Sequence, residues 1–524
     1  MIFVNREREK ALLGSAARSL ILGNRRNTAF IGMRRIGKTM LLKKFLEEKK
    51  NAKDLLCVYI DLEDIATSPR IFSIYYIGEI IYALACRRGV YENKEKFFDP
   101  VNLLSISADI GKDALEISKK LFEDLNKVDV DYFSIVKFAF SVPQKIVESE
   151  GVKVMVILDE FQELRILNNF TAIGDVFSIF RAGIDGQKDV GYVASGSAIS
   201  MMEKVFKESE SSLFAQFKIE KIRPFTREDS ILLASKIFRL ENKEVNTVPL
   251  NLIYKFSYGH PAYVTYIANE CCDLSNILSE ETTADIVKNA FIQQVLSENG
   301  QIAMLCNYIY NISIERVQGK GSLKAILNVL AREEGITLSE ISKKLNQKTG
   351  AVSNLLKSLL ESDLVVRKDK RYYFRDPILR FWLSKKVLNL DVDYDIDFSV
   401  VKDLISELEE KYLRVSSELG KAKESELRHR IEDYLGVELG NYDKDGLEFD
   451  LFGEKNGVAH IVEIKWRNKA TGYREVENFV DKVKRLPVKN VKLCFVSKSG
   501  FTKKAKELME REGVVDISNE AVGG

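Results

Sequence analysis

The chain has 524 residues, of which 45% are apolar and 30% charged, a globular composition long enough for three or four domains. A formal net charge of +2 excludes a globally basic nucleic-acid binder, so any basic surface is local. The six cysteines form no CxxC pair and the three histidines are dispersed, which argues against a disulfide frame or a zinc cluster. The sequence shows neither a signal-peptide layout nor an apolar run that spans a bilayer, so we expect a cytoplasmic protein without a membrane partner.

The first motif along the chain is the glycine-rich stretch 32–39, which matches GxxxxGK[ST] in full. An apolar segment precedes it and an apolar helical pattern follows it, the strand, loop and helix context of a phosphate-binding loop. Gly32 and Gly37 allow the tight turn that points backbone N–H groups at phosphate oxygens. We predict that Lys38 reaches the β- and γ-phosphates of ATP and that Thr39 ligates Mg²⁺. A turn that binds nothing is the alternative. The nucleotide-binding residues predicted from this loop are Gly32, Arg34, Arg35, Gly37, Lys38, Thr39 and Met40.

The apolar run 152–158 indicates a strand buried on both faces of a parallel sheet, and it ends in Asp159 and Glu160. As the partner of the phosphate loop, Asp159 is predicted to bind Mg²⁺ and Glu160 to orient and deprotonate the attacking water. An ordinary strand end with solvated acids is the alternative. A further predicted strand ends in Ser195 and Ser197, which are candidates either for contacting the γ-phosphate or for capping a helix.

Five segments together resemble the archaeal ATPase family, within the STAND-type signal-transduction ATPases. They are Phe-Val-Asn-Arg-Glu at 3–7, the phosphate loop, Leu-Asp-Glu-Phe-Gln at 158–162, Ser-Gly-Ser at 195–197 and Gly-His-Pro at 259–261. The resemblance covers roughly residues 1 to 275. It implies an ASCE-type sheet under a helical lid, Arg6 or Glu7 near the adenine, and Pro261 near the nucleotide. Gln216 stands where family members often carry an arginine, which argues against an arginine contact to the γ-phosphate from that place and against fast hydrolysis.

The stretch 322–382 predicts three helices and a hairpin, which together make a winged helix-turn-helix. Thr337 and Glu340 form a capping box at the start of its second helix. The residues predicted to face a DNA groove are Lys348, Thr349, Ser353, Asn354 and Lys357, and those predicted to meet phosphates are Arg367, Lys368, Lys370 and Arg371. The alternative is a winged helix that only packs and signals between domains.

Near the C-terminus, Asp450 on one predicted strand is followed by Glu463-Ile464-Lys465 on the next, the signature of the PD-(D/E)xK nuclease fold. Alternation places Glu463 and Lys465 on the same face of their strand. We predict that Asp450 and Glu463 bind Mg²⁺, that Lys465 positions the attacking water, and that Glu426 or Glu432 on the preceding helix completes the site. The alternatives are a cross-strand salt pair and a nuclease fold that is catalytically dead.

The predicted fold class is a multidomain α/β chain. It combines an ASCE-type P-loop ATPase, which has a parallel sheet and a helical lid, with a winged helix-turn-helix and a C-terminal α/β restriction-endonuclease-like domain. The predicted domains are a P-loop ATPase core at 1–215, a helical lid at 216–300, the winged helix at 301–390, a helical linker at 391–425 and the nuclease-like domain at 426–524.

The predicted function is an ATP-binding and hydrolysing switch coupled to a DNA-binding winged helix and a metal-dependent nuclease-like domain. In the alternative, the chain is a regulatory DNA-binding ATPase whose C-terminal domain is inert and serves recognition. A third hypothesis, an initiator-like ATPase, requires a lid arginine that we do not find. ATP, ADP and Mg²⁺ are the expected ligands and DNA the expected partner, while a homo-oligomer, the DNA target and the role of segment 90–130 stay open.

Overall fold

The computed structural model describes residues 2–90, 92–315, 320–387 and 431–518, the last range without 433, 438, 445–446, 466–469, 487 and 489. The predicted linker at 391–425 lies outside the described residues. The chain forms two compact units, 1–396 and 397–524. Within the described ranges, no helix is both long and apolar enough to cross a membrane.

A five-stranded parallel sheet forms the centre of the first unit. Its strands are β1 (Thr28–Ile31), β2 (Leu55–Asp61), β3 (Lys153–Asp159), β4 (Val190–Gly196) and β5 (Lys218–Lys221), in the spatial order β2-β3-β4-β1-β5. β3 and β4 are buried along almost their whole length, as expected for strands covered on both faces. β4 lies between β1, which precedes the phosphate loop, and β3, which ends in the predicted carboxylates. This strand order is the one that the ASCE-type prediction requires.

Nine helices of the described chain surround this sheet. They are α1 (Glu7–Ile21), α2 (Lys38–Lys49), α3 (Leu62–Ile65), α4 (Pro69–Arg88), α5 (Pro100–Ile110), α6 (Lys112–Leu125), α7 (Tyr132–Glu150), α8 (Val176–Asp185) and α9 (Ile199–Lys207), with 3₁₀ turns at Lys94–Phe98 and Phe161–Asn169. Segment 90–130, which the sequence left without a role, contributes Leu103, Ile106 and Leu121 to the same apolar core as the sheet. Its helices therefore belong to the packed core around the sheet.

Five described helices follow the sheet, in the range predicted as a lid and just after it. They are α10 (Arg227–Leu240), α11 (Thr247–Ser257), α12 (Pro261–Leu278), α13 (Ala284–Leu296) and α14 (Gln301–Glu315). Thr226 caps α10 by accepting a hydrogen bond from the backbone N–H of Asp229, which stabilises the helix by about 1 kcal/mol. Between α11 and α12 the backbone turns left-handed at Tyr258 and Gly259, where the Gly-His-Pro segment begins.

The winged helix that the sequence predicts is present. Its elements are α15 (Lys320–Arg332), β6 (Ile336–Thr337), α16 (Leu338–Leu345), α17 (Thr349–Glu361), β7 (Val365–Lys368), β8 (Arg371–Phe374) and α18 (Pro377–Val387), and its antiparallel sheet has the order β6-β8-β7. The predicted capping box of Thr337 and Glu340 forms at the start of α16. Asp369 and Lys370 both have positive φ at the hairpin tip, which matches the right-handed twist of the wing strands.

The second unit is built on a mixed five-stranded sheet. Its elements are β9 (Gly440–Lys444), β10 (Leu447–Lys455), β11 (Val458–Lys465), α19 (Tyr473–Val483), β12 (Val491–Ser497), α20 (Lys503–Glu512) and β13 (Val514–Asp516). The order is β13-β12-β11-β10-β9, with β9, β10 and β11 antiparallel and β11, β12 and β13 parallel. Along β11, Ile461 packs in one apolar cluster and Val462 and Ile464 in another. This alternation places Glu463 and Lys465 together on the Ile461 face, as predicted.

Candidate functional site

The phosphate loop connects β1 to α2 and has a backbone that its two glycines permit. A Cβ atom on Gly32 would lie 2.8 Å from the carbonyl oxygen of Ile222, closer than packed atoms approach. Gly37 has φ +99°, in the left-handed region that other residues rarely adopt. Because α2 begins directly after Gly37, its first N–H groups point into the loop, as in sites that bind anionic groups.

The positive charge of Lys38 is buried and only weakly balanced by negative charge nearby. It is 4% exposed, and its ammonium donates to the carbonyl oxygens of Gly32 at 3.0 Å and Met33 at 3.1 Å. Within the part of the chain that the structure describes, the nearest carboxylate is that of Glu160, at 4.0 Å. Burial lowers the pKa of Lys38, against the opposing effect of Glu160 and Asp159. A phosphate group would supply the negative charge that this position lacks.

Asp159 is 1% exposed and each of its oxygens accepts hydrogen bonds. One oxygen accepts from the hydroxyls of Thr39 at 2.6 Å and Tyr59 at 2.9 Å, and the other from the Ser195 hydroxyl and the backbone N–H of Glu160. The pair formed by Thr39 and Asp159 offers hydroxyl and carboxylate oxygens at contact distance, the type of ligand that Mg²⁺ prefers. These residues therefore fit the predicted Mg²⁺ site.

Glu160 follows Asp159 with a left-handed backbone at φ +47°, a conformation that costs a non-glycine residue about 1–3 kcal/mol and is frequent at active sites. Its Oε2 accepts from Gln162 Nε2 at 2.5 Å and from the backbone N–H and hydroxyl of Ser197 at 3.1 and 2.7 Å. The two serines proposed as γ-phosphate contacts thus each hold a carboxylate: Ser195 holds Asp159, and Ser197 holds Glu160.

A cavity of about 810 Å³ opens beside the loop. The predicted residues that line it are Arg34, Arg35, Gly37, Lys38, Thr39, Met40, Glu160 and Pro261. Its apolar wall includes Val4, Phe225 and Leu233. Arg6 lines it as well, with its guanidinium 4.6 Å from the centre of the Phe225 ring and hydrogen-bonded to Ile36 O at 2.9 Å. This apolar end agrees with the expectation that Arg6 lies near an adenine.

Sequence reasoning missed several residues of this site. Tyr59, which bonds to Asp159, stands two places before the end of β2, and strand alternation with Asp61 was the signal that pointed to it. Tyr308 of α14 lines the cavity, and its ring lies 5.4 Å from the Arg34 guanidinium. Arg35 donates to the Tyr266 hydroxyl at 2.5 Å. Because α14 follows the phosphate loop by more than 260 residues, no local pattern indicates that contact.

The winged helix presents polar and basic groups to solvent. The predicted groove residues Lys348, Thr349, Ser353, Asn354 and Lys357 are exposed, as are the wing residues Arg367, Lys368, Lys370 and Arg371. Apolar residues Val352, Leu356 and Leu359 on the other side of α17 are buried. The face of α17 predicted to read DNA is therefore free to meet a ligand.

In the second unit, the structure brings the predicted Asp450, Glu463 and Lys465 together. Lys465 Nζ lies 2.5 Å from Glu463 and 3.9 Å from Asp450, and Asp450 accepts from the backbone N–H of Ile464 at 2.7 Å. Burial raises the pKa of Glu463, and the neighbouring Asp450 adds to the effect.

The third carboxylate of this site is not settled by the structure. Glu426 lies outside the described residues, and Glu432 accepts a hydrogen bond from Leu439 N at 2.8 Å. Across the described ranges, no group of three or more histidine, cysteine or acidic side chains is placed to hold a metal ion. The described part of the site therefore offers two carboxylates and a lysine.

Comparison with solved structures finds a shared fold over about three quarters of the chain. A Walker-type ATPase of Pyrococcus abyssi matches at 17% identity and a TM-score of 0.52, over 73% of this chain and 96% of its own. The ORC2 protein of Aeropyrum pernix, solved as ADPNP–ADP complexes, matches at 14% identity and a TM-score of 0.44, over 74% and 96% of the two chains. The RuvB Holliday junction branch migration motor of Thermotoga maritima matches at 13% identity and a TM-score of 0.34, over 75% and 97%.

Sequence comparison assigns two regions. No curated protein sequence matches the chain. The MarR family matches residues 324–371, which cover most of the winged helix. The family described as an ATPase domain predominantly from Archaea matches residues 3–267, half of the chain, and these contain the phosphate loop, both carboxylates and the Gly-His-Pro segment. The chain belongs to this family of predominantly archaeal ATPase domains.

Proposed function

We propose that the first unit is a switch that binds and hydrolyses ATP. The observation that carries the proposal is the buried Lys38 ammonium, which bonds to two neutral carbonyls and has no described carboxylate closer than 4.0 Å. When ATP binds, Lys38 exchanges these carbonyls for the β- and γ-phosphates, and the N–H groups of the loop donate to the same anion. Thr39 and Asp159 are the residues that would hold Mg²⁺, which neutralises phosphate charge when it is bound.

Glu160 is the proposed general base for hydrolysis. Its Oε1 lies 4.0 Å from the Lys38 ammonium, just after the end of β3, and a carboxylate at this place can take a proton from an attacking water. Ser197 donates two hydrogen bonds to Oε2, so this oxygen must be released before it can accept that proton. Assignment to the STAND group and slow intrinsic hydrolysis, which the resemblance implies, stay predictions.

The test of this function is ATP turnover by the full chain. Phosphate release is measured with ATP and Mg²⁺, and again after the divalent cation is removed by a chelator. Turnover that requires the cation supports the proposal. No turnover and no nucleotide binding in either condition would contradict it.

We propose further that duplex DNA is the partner of the winged helix. The exposed polar face of α17 and the four exposed basic residues of the wing support this, as does the MarR family match. Phosphate contacts by the wing position the protein, and side chains of α17 read base edges. Binding of labelled duplexes of different sequence, compared at several salt concentrations, tests the proposal.

A metal-dependent nuclease is a second candidate function, for the second unit. The convergence of Asp450, Glu463 and Lys465 on the adjacent strands β10 and β11 favours it. The two carboxylates fit as oxygen ligands for Mg²⁺, which stabilises the transition state of phosphodiester cleavage when it is bound. Lys465 would hold the attacking water and offset charge on the phosphate.

The alternative is an inert second unit that serves recognition. In that case Lys465 neutralises the two carboxylates and the site takes no metal. The distinguishing experiment is cleavage of DNA and RNA by the wild-type chain with Mg²⁺ or Mn²⁺, with and without ATP. Cleavage that depends on the metal supports the nuclease; none under any of these conditions supports the inert domain.

A further inference from the structure

The start of α9 receives a carboxylate from the winged helix. Asp363, which follows α17, accepts hydrogen bonds from the backbone N–H of Ser200 at 3.0 Å and from its hydroxyl at 2.7 Å. Unpaired N–H groups and the helix dipole make the first turn of a helix favourable for an anion. Arg375 Nη2 lies 2.8 Å from the same carboxylate and fixes it from the other side. The winged helix and the ATPase core therefore share a specific polar contact.

The residue that holds Glu160 lies just before α9. Ser197 is in the two-residue junction between β4 and α9, and it precedes Ser200, in the first turn of the helix, by three residues. Oε2 of Glu160 accepts three hydrogen bonds, two from Ser197 and one from Gln162. A carboxylate oxygen has about two lone pairs, so this oxygen has none left for a water molecule. The other oxygen faces Lys38 at 4.0 Å.

These two contacts lie on one short, stiff piece of backbone. We propose that Asp363 is a positioning residue for ATP hydrolysis: by fixing the first turn of α9, it keeps Glu160 on Ser197 and away from the attacking water until the winged helix moves off α9. The inference rests on the proposed function, in which Glu160 activates that water. It adds that the winged helix sets the rate of hydrolysis.

The space around the contact allows the required movement. A cavity of about 420 Å³ lies against it, lined by Ser197, Ile199, Asp363 and Arg375 among others. Packed interiors resist displacement because they contain few voids larger than a water molecule. Open volume on this side lets the turn shift without disturbing the core.

A second chain of contacts links the winged helix to the phosphate loop. Asp376, at the start of α18, accepts from the Tyr263 hydroxyl at 2.6 Å, and Tyr263 stacks on His260 with ring centres 4.3 Å apart. His260 Nε2 lies 3.0 Å from the carbonyl oxygen of Arg34 in the phosphate loop. The winged helix is thus connected to the phosphate loop through Asp376 and to the helix next to Ser197 through Asp363. A coupled switch needs such contacts with both parts of the site.

An exposed ion pair across the same interface provides variants that should fold. Lys204 of α9 lies 2.6 Å from Glu361 of α17, and both side chains are 45% exposed. Reversing one charge replaces attraction with repulsion between α9 and α17, and reversing both restores the pair. On the same helix, Lys207 pairs within α9 with Glu203 and makes a matched control.

The experiment measures kcat and KM for ATP separately in the full chain. Asp363→Ala should raise kcat about fivefold or more, the low end of usual coupling between sites, and leave KM unchanged. Lys204→Glu should also raise kcat. The double variant, Lys204→Glu with Glu361→Lys, should return kcat to the wild-type value. The control, Lys207→Glu, should leave kcat unchanged. The double exchange separates a specific contact from a general loss of structure, even if Asp363→Ala does not fold.

The outcomes distinguish this inference from the function on which it rests. Hydrolysis by the wild type, with kcat unchanged or lowered in Asp363→Ala and Lys204→Glu, would overturn the positioning role and leave the ATPase intact. A single reversal that raises kcat without rescue by the double exchange would also overturn it. Absence of hydrolysis in the wild type and every variant would overturn the ATPase proposal and this inference together.

Discussion

Each unit of the molecule contains a lysine beside two carboxylates, and the two clusters are built differently. In the ATPase unit, Lys38 is 4% exposed and bonds to backbone carbonyls, with its nearest carboxylate 4.0 Å away. In the second unit, Lys465 is 30% exposed and lies 2.5 Å from Glu463. The first lysine is buried with too little negative charge around it, whereas the second is neutralised by the protein itself.

This difference indicates that the cluster around Lys38 requires a bound ligand, whereas the cluster around Lys465 can bind a ligand but is stable without one. A buried, weakly paired charge is unfavourable unless an anion compensates it, so the ATPase cluster is explained by a bound phosphate. A contact ion pair that is partly exposed is satisfied without a ligand. A metal ion in the second unit must compete with Lys465 for Glu463. The comparison therefore predicts strong dependence on ligand in the first cluster and weaker dependence in the second.

The largest effect is expected at the ATPase cluster. Lys38→Ala should weaken ATP binding by at least about 2 kcal/mol, because it removes the cation that meets the ground-state phosphates. Glu160→Gln should keep ATP affinity and lower kcat by about 10²- to 10⁴-fold, because the carboxylate that it replaces acts on the attacking water. Nucleotide titration and phosphate release measure the two quantities.

Lys44→Ala, on the same helix and paired with Glu47 at 3.0 Å, is the matched control and should change neither quantity. An equal loss of nucleotide affinity in Lys38→Ala and Glu160→Gln would contradict the separate roles. It would also remove the distinction between the two clusters, since both would then act as simple charge pairs.

The lysine cluster of the second unit tests the other side of the comparison. Asp450→Ala or Glu463→Ala should each abolish metal-dependent cleavage and leave ATP hydrolysis unchanged, because one carboxylate cannot hold the metal in register with the scissile phosphate. Lys465→Ala should also lose cleavage but bind metal at least as well as the wild type, since its charge acts on the transition state and competes for Glu463. Gel cleavage assays and Mn²⁺ titration measure these effects.

Glu512→Ala, which removes an exposed ion pair with Lys484 in the same unit, is the control and should cleave normally. If metal affinity falls in Lys465→Ala, the lysine supports the carboxylates and does not compete with a metal. Wild-type protein that neither cleaves nor binds Mn²⁺ would assign the whole cluster to an internal salt pair.

Much of the fold follows from the sequence because its signals are local. The glycine spacing at 32–39, the apolar run of β3 and the capping box at Thr337 each specify one element within a few residues. Strand alternation was enough to bring Glu463 and Lys465 to one face.

What the sequence did not predict depends on distant contacts. Tyr308 of α14 enters the nucleotide cavity, and Asp363 of the winged helix docks on α9, each through tertiary packing that no short pattern encodes. Ser197 was assigned either to the γ-phosphate or to a helix cap, and its bond to Glu160 depends on how β3 and β4 lie side by side. Local motifs thus predicted the chemical groups, and packing determined which of them meet.

The basic residues of the wing are exposed and belong to neither lysine cluster, so we expect their removal to have a different effect. Removal of the four wing charges should weaken DNA binding and flatten its salt dependence, by up to about 0.9 in slope for each phosphate that the wing no longer neutralises. The substituted residues are Arg367, Lys368, Lys370 and Arg371. Removal of Lys112 and Lys119, exposed lysines of α6, is the control and should leave the slope unchanged. An unchanged slope in the wing variant would limit the winged helix to packing and signalling.

The smallest effect concerns pH and a buried group of the ATPase unit. His260 is 3% exposed, and burial lowers its pKa below the ordinary value near 6.5. The unfolded chain therefore takes up a proton at this residue at a higher pH than the folded chain does. Its contribution to stability is present above about pH 6.5 and is lost as the pH falls toward the lowered pKa of the folded state.

Thermal unfolding of the wild type and of His260→Gln, measured from about pH 7.5 down to about pH 5.5, tests this sign. The amide nitrogen of glutamine stands near the position of the imidazole Nε2, so it can donate to the Arg34 carbonyl without titrating in this range, and the variant separates the protonation from the hydrogen bond. The Tm of the wild type should fall more steeply than that of the variant as the pH is lowered, because only the wild type must keep a buried imidazole neutral. Parallel pH dependence in the two proteins would show that His260 does not contribute, and would assign the acid sensitivity of the unit to other titratable groups.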